Sequence, residues 1–242
     1  MAAGDVNSER AARVWLLVTE RAGVGPVSMA HVCDAAVAGV GVDGAGLTVM
    51  AGPTIREVVH ATDHVAARLE EFQLTFGQGP CVDAFERGPV QAGDLEAAHF
   101  LARWPVFAPA ALGIGARAVF ALPLRIGAIR LGVLDLYRTR PGALTSGELA
   151  DALIFADTAT VLALDGADQA DRADQADRRE PADMSADQAV VHQATGMVSV
   201  QLGVSVESAF AQLRAYAFAN DRRLSEVATA VVDRRLRFPP DG

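Results

Sequence analysis

One segment divides this chain before any element is read. ADQADR occurs at 167–172 and again at 173–178. Around it, residues 165–183 hold seven acids against three arginines and, apart from Pro181, no apolar residue larger than alanine. Such a stretch cannot bury a core. The chain therefore folds as two units joined by an acidic linker over 165–184. From composition alone the linker is either a solvated tether or a helical extension that helps two chains pair.

Charge is distributed unevenly about this linker. The net charge is −9, and all the basic residues are arginine. An acidic chain of this kind does not bind nucleic acid through a broad basic surface. Residues 1–164 carry 12 Arg against 17 acids, whereas 184–242 are neutral, with Arg222, Arg223, Arg234, Arg235 and Arg237 bunched near the end. MAAGDVNSER is polar and lacks the apolar core of a signal peptide. The apolar runs 104–116 and 189–206 are too short or too often interrupted to span a bilayer. Cys33 and Cys81 are too few for a secreted disulfide scaffold. The expectation is a soluble, cytoplasmic protein.

The first unit reads as α+β. Ala11, Val14, Trp15 and Val18 give Asn7–Arg21 a helical period. Ser28 caps a helix running to Val40, and Asp63 caps another running to Phe72. GVDGAGLTVMAG and IREVVHAT read as strands around Gly52-Pro53, and ARAVFALPL and IRLGVLDLY as a second pair around 125–128. FGQGPC reads as a turn or loop. Glu96–Leu112 is helical, interrupted by Pro105 and Pro109. Thr145-Ser-Gly-Glu148 is a capping box opening a helix to about Leu164. The sum is an antiparallel sheet flanked by helices.

With ATDHVAARLEEFQLTFGQGPCVDAF at 61–85, this order of elements resembles the GAF domains of actinobacterial regulators, over about residues 8–164. The resemblance implies a sensor module with a pocket on one sheet face for a small-molecule ligand, whose identity and cofactor are unknown. It places Cys81 at the pocket edge.

The second unit is three short amphipathic helices. Ser185-Ala-Asp-Gln188 is a capping box, and Val190, Val191, Ala194, Met197 and Val198 share one face up to Leu202. Gly203 closes this helix. Ser205 caps the next, which turns Val206, Phe210, Leu213 and Ala217 inward, with Asn220 as a left-handed stop. Ser225 caps the third, with Val227, Ala228, Val231 and Val232 inward and Leu236 at the edge. So small a bundle leans on a partner. Gly196 falls on the outer face of the first helix, with His192 and Ser199, and Thr195 lies at its flank. Periodicity leaves two readings: an incidental glycine on a solvated face, or a place where a ligand backbone comes close.

QATGMVSVQLGVSVESAFAQLRAYAFANDRRLSEVATAVV resembles an ANTAR domain, over about residues 185–238. The resemblance implies an all-α three-helix RNA-binding module, usually dimeric, that grips paired stem-loops in nascent transcripts and prevents a terminator from forming. It implies RNA contact at Gln193, Ala194, Thr195 and Gly196 on the first helix and at Arg214 and Tyr216 on the second. Arg222, Arg223, Arg234 and Arg235 complete the set. Arginine suits phosphate forks and base stacking. Many members of the family carry Lys where this chain has Thr195, so one cation is replaced by a hydroxyl.

Catalytic and metal motifs are weak by comparison. His60 and His64 are four apart but fall in a strand and in the next helix, so no i, i+4 metal pair follows. No phosphate loop, dinucleotide fingerprint or Ser-His-Asp set stands out. The expectation is a homodimeric RNA-binding antitermination regulator, not an enzyme, without a metal. The alternative is a GAF-fold small-molecule or thiol-redox enzyme using Cys81, with the C-terminal helices only oligomerising.

Overall fold

Strands β1 (Gly44–Ala51), β2 (Ile55–Ala61), β3 (Val90–Ala92), β4 (Ala118–Ile126) and β5 (Ile129–Arg138) form one antiparallel sheet in the order β2-β1-β5-β4-β3. The computed structural model describes residues 3–51, 55–176, 186–220 and 222–239. The turn at Gly52-Pro53 and the cap at Ser185 lie outside the described residues.

Helices cover both sheet faces, and strand alternation sorts the side chains between them. Phe120, Leu122, Leu134 and Leu136 point toward α1 (Ala3–Ala22), α2 (Met29–Val40) and α7 (Ser146–Ala176). Val119, Ala121, Val133 and Tyr137 point toward α3 (His64–Phe76), α4 (Pro80–Arg87), α5 (Ala98–Arg103) and α6 (Phe107–Gly113). With both faces covered, the middles of β4 and β5 are apolar on both sides, Asp135 apart.

Several local signals act as expected. Ser28 N–H donates to His31 Nδ1 at 3.1 Å, closing the start of α2. Asp63 Oδ1 accepts from Ala66 N–H at 2.9 Å at the start of α3. Glu148 accepts the Thr145 N–H at 2.7 Å while Thr145 Oγ1 accepts the Glu148 N–H at 3.3 Å.

Other expectations are corrected. Ala11 and Trp15 of α1 are exposed, Trp15 by 47%, because α1 meets its neighbours through the narrow ridge of Val14 and Val18. α3 runs four residues past Phe72, since its stop is Gly77, in the left-handed region at φ 64°. Cys81 lies in the first turn of α4 and not in a loop: Pro80 opens that helix, where its missing N–H costs nothing. β3 was not foreseen, three residues being too few to show an alternation. α7 continues past Leu164 through the first ADQADR to Ala176, so this part of the linker is a helical extension.

The C-terminal helices are α8 (Ala186–Leu202), α9 (Val206–Ala219) and α10 (Leu224–Val232). Ala194, Val198, Phe210, Leu213, Val227 and Val231 are among the residues of their shared core. Gly203 caps α8 at φ 67°, and Ser205 Oγ accepts the Ser208 N–H at 3.2 Å. Val206 faces outward at 56% exposure, because position one of α9 precedes the turn that packs. Asn220 is not left-handed (φ −109°); its amide donates to the Tyr216 carbonyl at 2.8 Å. The N-cap of α10 is Arg223 and not Ser225, which lies inside the helix.

Candidate functional site

The outer face of α8 presents His192, Gln193 and Gly196, all exposed. A Cβ built on Gly196 meets nothing within 4 Å, so the fold itself does not require glycine there. The two residues between turn inward, Ala194 as its period implies and Thr195 further than a flank position would, in contrast to the RNA contact that the resemblance implies for them. Ala194 is fully buried and Thr195 is 5% exposed, its hydroxyl donating to the Val191 carbonyl at 2.7 Å. The helix turns both toward α9 and α10, so neither side chain is placed to meet RNA, and Thr195 offers no outward hydroxyl. Gly196→Ala is expected to stabilise the protein by about 0.5–1 kcal/mol. The same change should weaken RNA binding if a backbone comes close to that face. Thermal melts and RNA titrations of one preparation check both signs.

The arginines do not form one patch. Arg222 lies 3.9 Å from Glu226 and also donates to its carbonyl at 3.3 Å. Arg235 pairs with Asp233 at 2.6 Å, and Arg234 is exposed at the turn after α10, with φ 60°. Tyr216 is half-buried, edge-on to Phe238 at 5.4 Å, and so serves the bundle core as well as any base. Arg214 and Arg223 reach the first domain. Arg214 Nε donates to the Thr75 carbonyl at 3.1 Å, and Arg223 lies 3.7 Å from Glu71.

Beneath α3 lies a cavity of about 10 Å³, lined by Thr48, Val58, Glu70, Gln73, Leu74 and Cys81. That is room for about one water molecule. Its polar groups are ordered by one another. Thr48 donates to Glu70 at 2.8 Å, Gln73 Nε2 donates to Asp135 at 3.1 Å, and Gln73 Oε1 accepts the Cys81 N–H at 2.6 Å. Ligand atoms of Glu70, Cys81 and Asp135 lie within 4.8 Å of one another, and all three residues are buried. Among the described residues this is the donor set that could share a cation. Cys81 lines this cavity, whereas Glu70, Gln73 and Asp135 are absent from the sequence reading. Their signal was a polar residue at a core position, as with Asp135 between Leu134 and Leu136. Nearby, burial and the Asp63 carboxylate, which accepts the Tyr137 hydroxyl at 3.1 Å, push that hydroxyl well above the usual tyrosine range.

His60 and His64 stand in β2 and α3, as expected; His60 Nε2 lies 3.7 Å from Asp34. No helix among the described residues is long and apolar enough to cross a membrane.

Comparison with known proteins agrees with this division. Residues 183–232 match the family model of the ANTAR domain. The GAF domain of a phosphoenolpyruvate-protein phosphotransferase from Coxiella burnetii is similar in fold, at 16% identity and a TM-score of 0.51, covering 70% of this chain and 99% of that one. The corresponding Acinetobacter GAF domain gives 9% identity and a TM-score of 0.50, covering 71% and 99%. A type II free methionine-R-sulfoxide reductase from Thermoplasma acidophilum is more distant, at 16% identity and a TM-score of 0.44, covering 57% and 90%. No curated protein matches the chain. The chain thus joins a domain of the GAF fold to an ANTAR domain.

Proposed function

We propose that this protein is an RNA-binding regulator acting by transcription antitermination, with its signal entering through the GAF-fold domain. The observation that carries the reading is the ANTAR match over 183–232, laid on a closed three-helix bundle whose outer α8 face is bare at Gly196. The RNA class is a paired stem-loop, read by phosphate contacts and by bases splayed from the loops. Gln193, Gly196, Arg222, Arg234 and Arg235 are the surface residues for it, with Arg214 and Arg223 joining when released from the first domain. The GAF-fold cavity is the entry point for a small ligand.

The working unit is a homodimer. Trp15 and Leu16 on α1, and Leu153, Val161 and Leu164 on α7, are exposed apolar side chains on the helical layer of the GAF-fold domain. A second copy would cover them.

The protein is proposed to do no chemistry at Cys81. Reactive cysteines occupy electropositive, partly exposed surroundings. Cys81 is 2% exposed and shares its space with two carboxyl side chains.

The test is a titration of the full chain with paired stem-loop RNA and with the same nucleotides scrambled. Preferential binding of the paired stem-loop is expected. Equal affinity for the two would sink the reading.

A further inference from the structure

The C-terminal half of α3 is a shared wall. Its inner residues Glu70, Gln73 and Leu74 line the cavity. Leu74 also packs against the core of the α8–α10 bundle, and Phe76 meets Phe218 of α9 edge-on at 5.8 Å. Two charged contacts flank this apolar one. The Arg214 guanidinium lies against the bare Cα of Gly77, where a Cβ would strike it, and donates to the Thr75 carbonyl. That is the C-terminus of α3, where unsatisfied carbonyls favour a cation. Arg223 faces Glu71, which also accepts from Arg68 at 2.5 Å.

From these contacts we infer that the GAF-fold domain holds the ANTAR domain in an RNA-incompetent dock: the C-terminal half of α3 occupies Arg214 and Arg223, the same cations that would meet phosphate. The inference rests on the RNA-binding reading above. Its physical basis is competition. A guanidinium seated on the Thr75 carbonyl is turned away from a phosphate, and one facing Glu71 would meet a phosphate against a neighbouring carboxylate. The cavity supplies the trigger. At about 10 Å³ it has room for about one water, so a larger ligand has to widen it, and α3 is the wall that also touches the ANTAR domain. The end of α3 beyond the cavity is where Arg214 and Phe218 sit, on the Thr75 carbonyl and on Phe76. A ligand that binds only the widened cavity therefore favours the released module, by the linkage that couples any two sites.

Two full-length variants, one from each side of the contact, test this. Glu71→Arg replaces attraction to Arg223 by repulsion and alters no residue of the ANTAR domain. Phe218→Ser removes the edge contact from a side chain that is 54% exposed, leaving the net charge unchanged. Either one suffices if the other fails to fold. Hydrogen exchange over residues 71–77 reports the dock, and fluorescence anisotropy with paired stem-loop and scrambled RNA reports binding. The expected result is faster exchange at 71–77 and an affinity for the paired stem-loop raised about 5-fold or more. Faster exchange with unchanged or weaker RNA affinity would overturn the dock as an inhibitor while leaving RNA binding intact. Unchanged exchange in the folded variants would overturn the dock itself. If wild type and variants alike fail to prefer the paired stem-loop, the RNA reading falls and takes this inference with it.

Discussion

Replacing Arg222 and Arg223 together with alanine will lower affinity for paired stem-loop RNA by about 10-fold or more at moderate salt, and will flatten its salt dependence. Each phosphate neutralised releases counterions, so losing two phosphate contacts should reduce the slope of log affinity against log salt by roughly 1–2. Both residues stand in the turn between α9 and α10, Arg222 half-buried and Arg223 exposed. Neither belongs to the bundle core, so the fold should survive the change. Arg223 also pairs with Glu71, and removing it loosens the contact with the first domain. Made in the Glu71→Arg background, where that pair is already gone, the double substitution reads phosphate contact alone. Filter binding across a salt series, with a thermal melt as the folding control, measures both numbers. An unchanged slope would remove these two arginines from the interface.

Gly132→Ala will destabilise the first domain by about 3 kcal/mol or more, the upper range for forcing atoms into a packed interior. Gly132 stands in β5, opposite Val49 of β1 and Leu124 of β4, at the middle of the sheet. A Cβ there would land on the Thr48 carbonyl oxygen and 2.9 Å from Val49 Cα. These are backbone atoms of the neighbouring strand, which cannot swing aside as a side chain would. The sheet must open, and Thr48, which orders Glu70 at the cavity, moves with it. A loss of that size corresponds to roughly 6–12 °C in Tm for a chain of this length. Gly113→Ala is the control: it ends α6, and its Cβ would meet nothing within 4 Å. It should leave Tm within about 2 °C, since surface changes away from such features are small. Denaturant melts of the two variants side by side decide the matter.

Legibility differed between local and distant features. Caps at Asp63, Thr145 and Ser205 were readable because the residue that supplies the oxygen sits three positions from the N–H it serves, and Ser28 is closed over the same span by His31. The two strand pairs and the three C-terminal helices were readable from period alone. The starts of α4 and α10 were not. Gly-Pro can begin a helix as well as a turn, and a cap without a side-chain hydrogen bond, such as Arg223, leaves no signature. Composition left the linker open between tether and helix, and α7 resolves it as helix as far as Ala176.

The sequence by itself determined the two units, their secondary structure and the family resemblances, because these rest on short-range periodicity and on residue types in order. It also placed Gly196 on an outer face, since 100° per residue is a local rule. Only the tertiary structure decided which residues face each other. It turned Thr195 inward, gathered Glu70, Gln73 and Cys81 around one small cavity with Asp135 bonded to Gln73, and laid Arg214 on the end of α3. Gln73 and Asp135 are separated by 62 positions in sequence, and Thr75 and Arg214 by 139. No periodicity reaches that far. Such pairs are fixed by how helices settle on a sheet, which depends on the whole core at once.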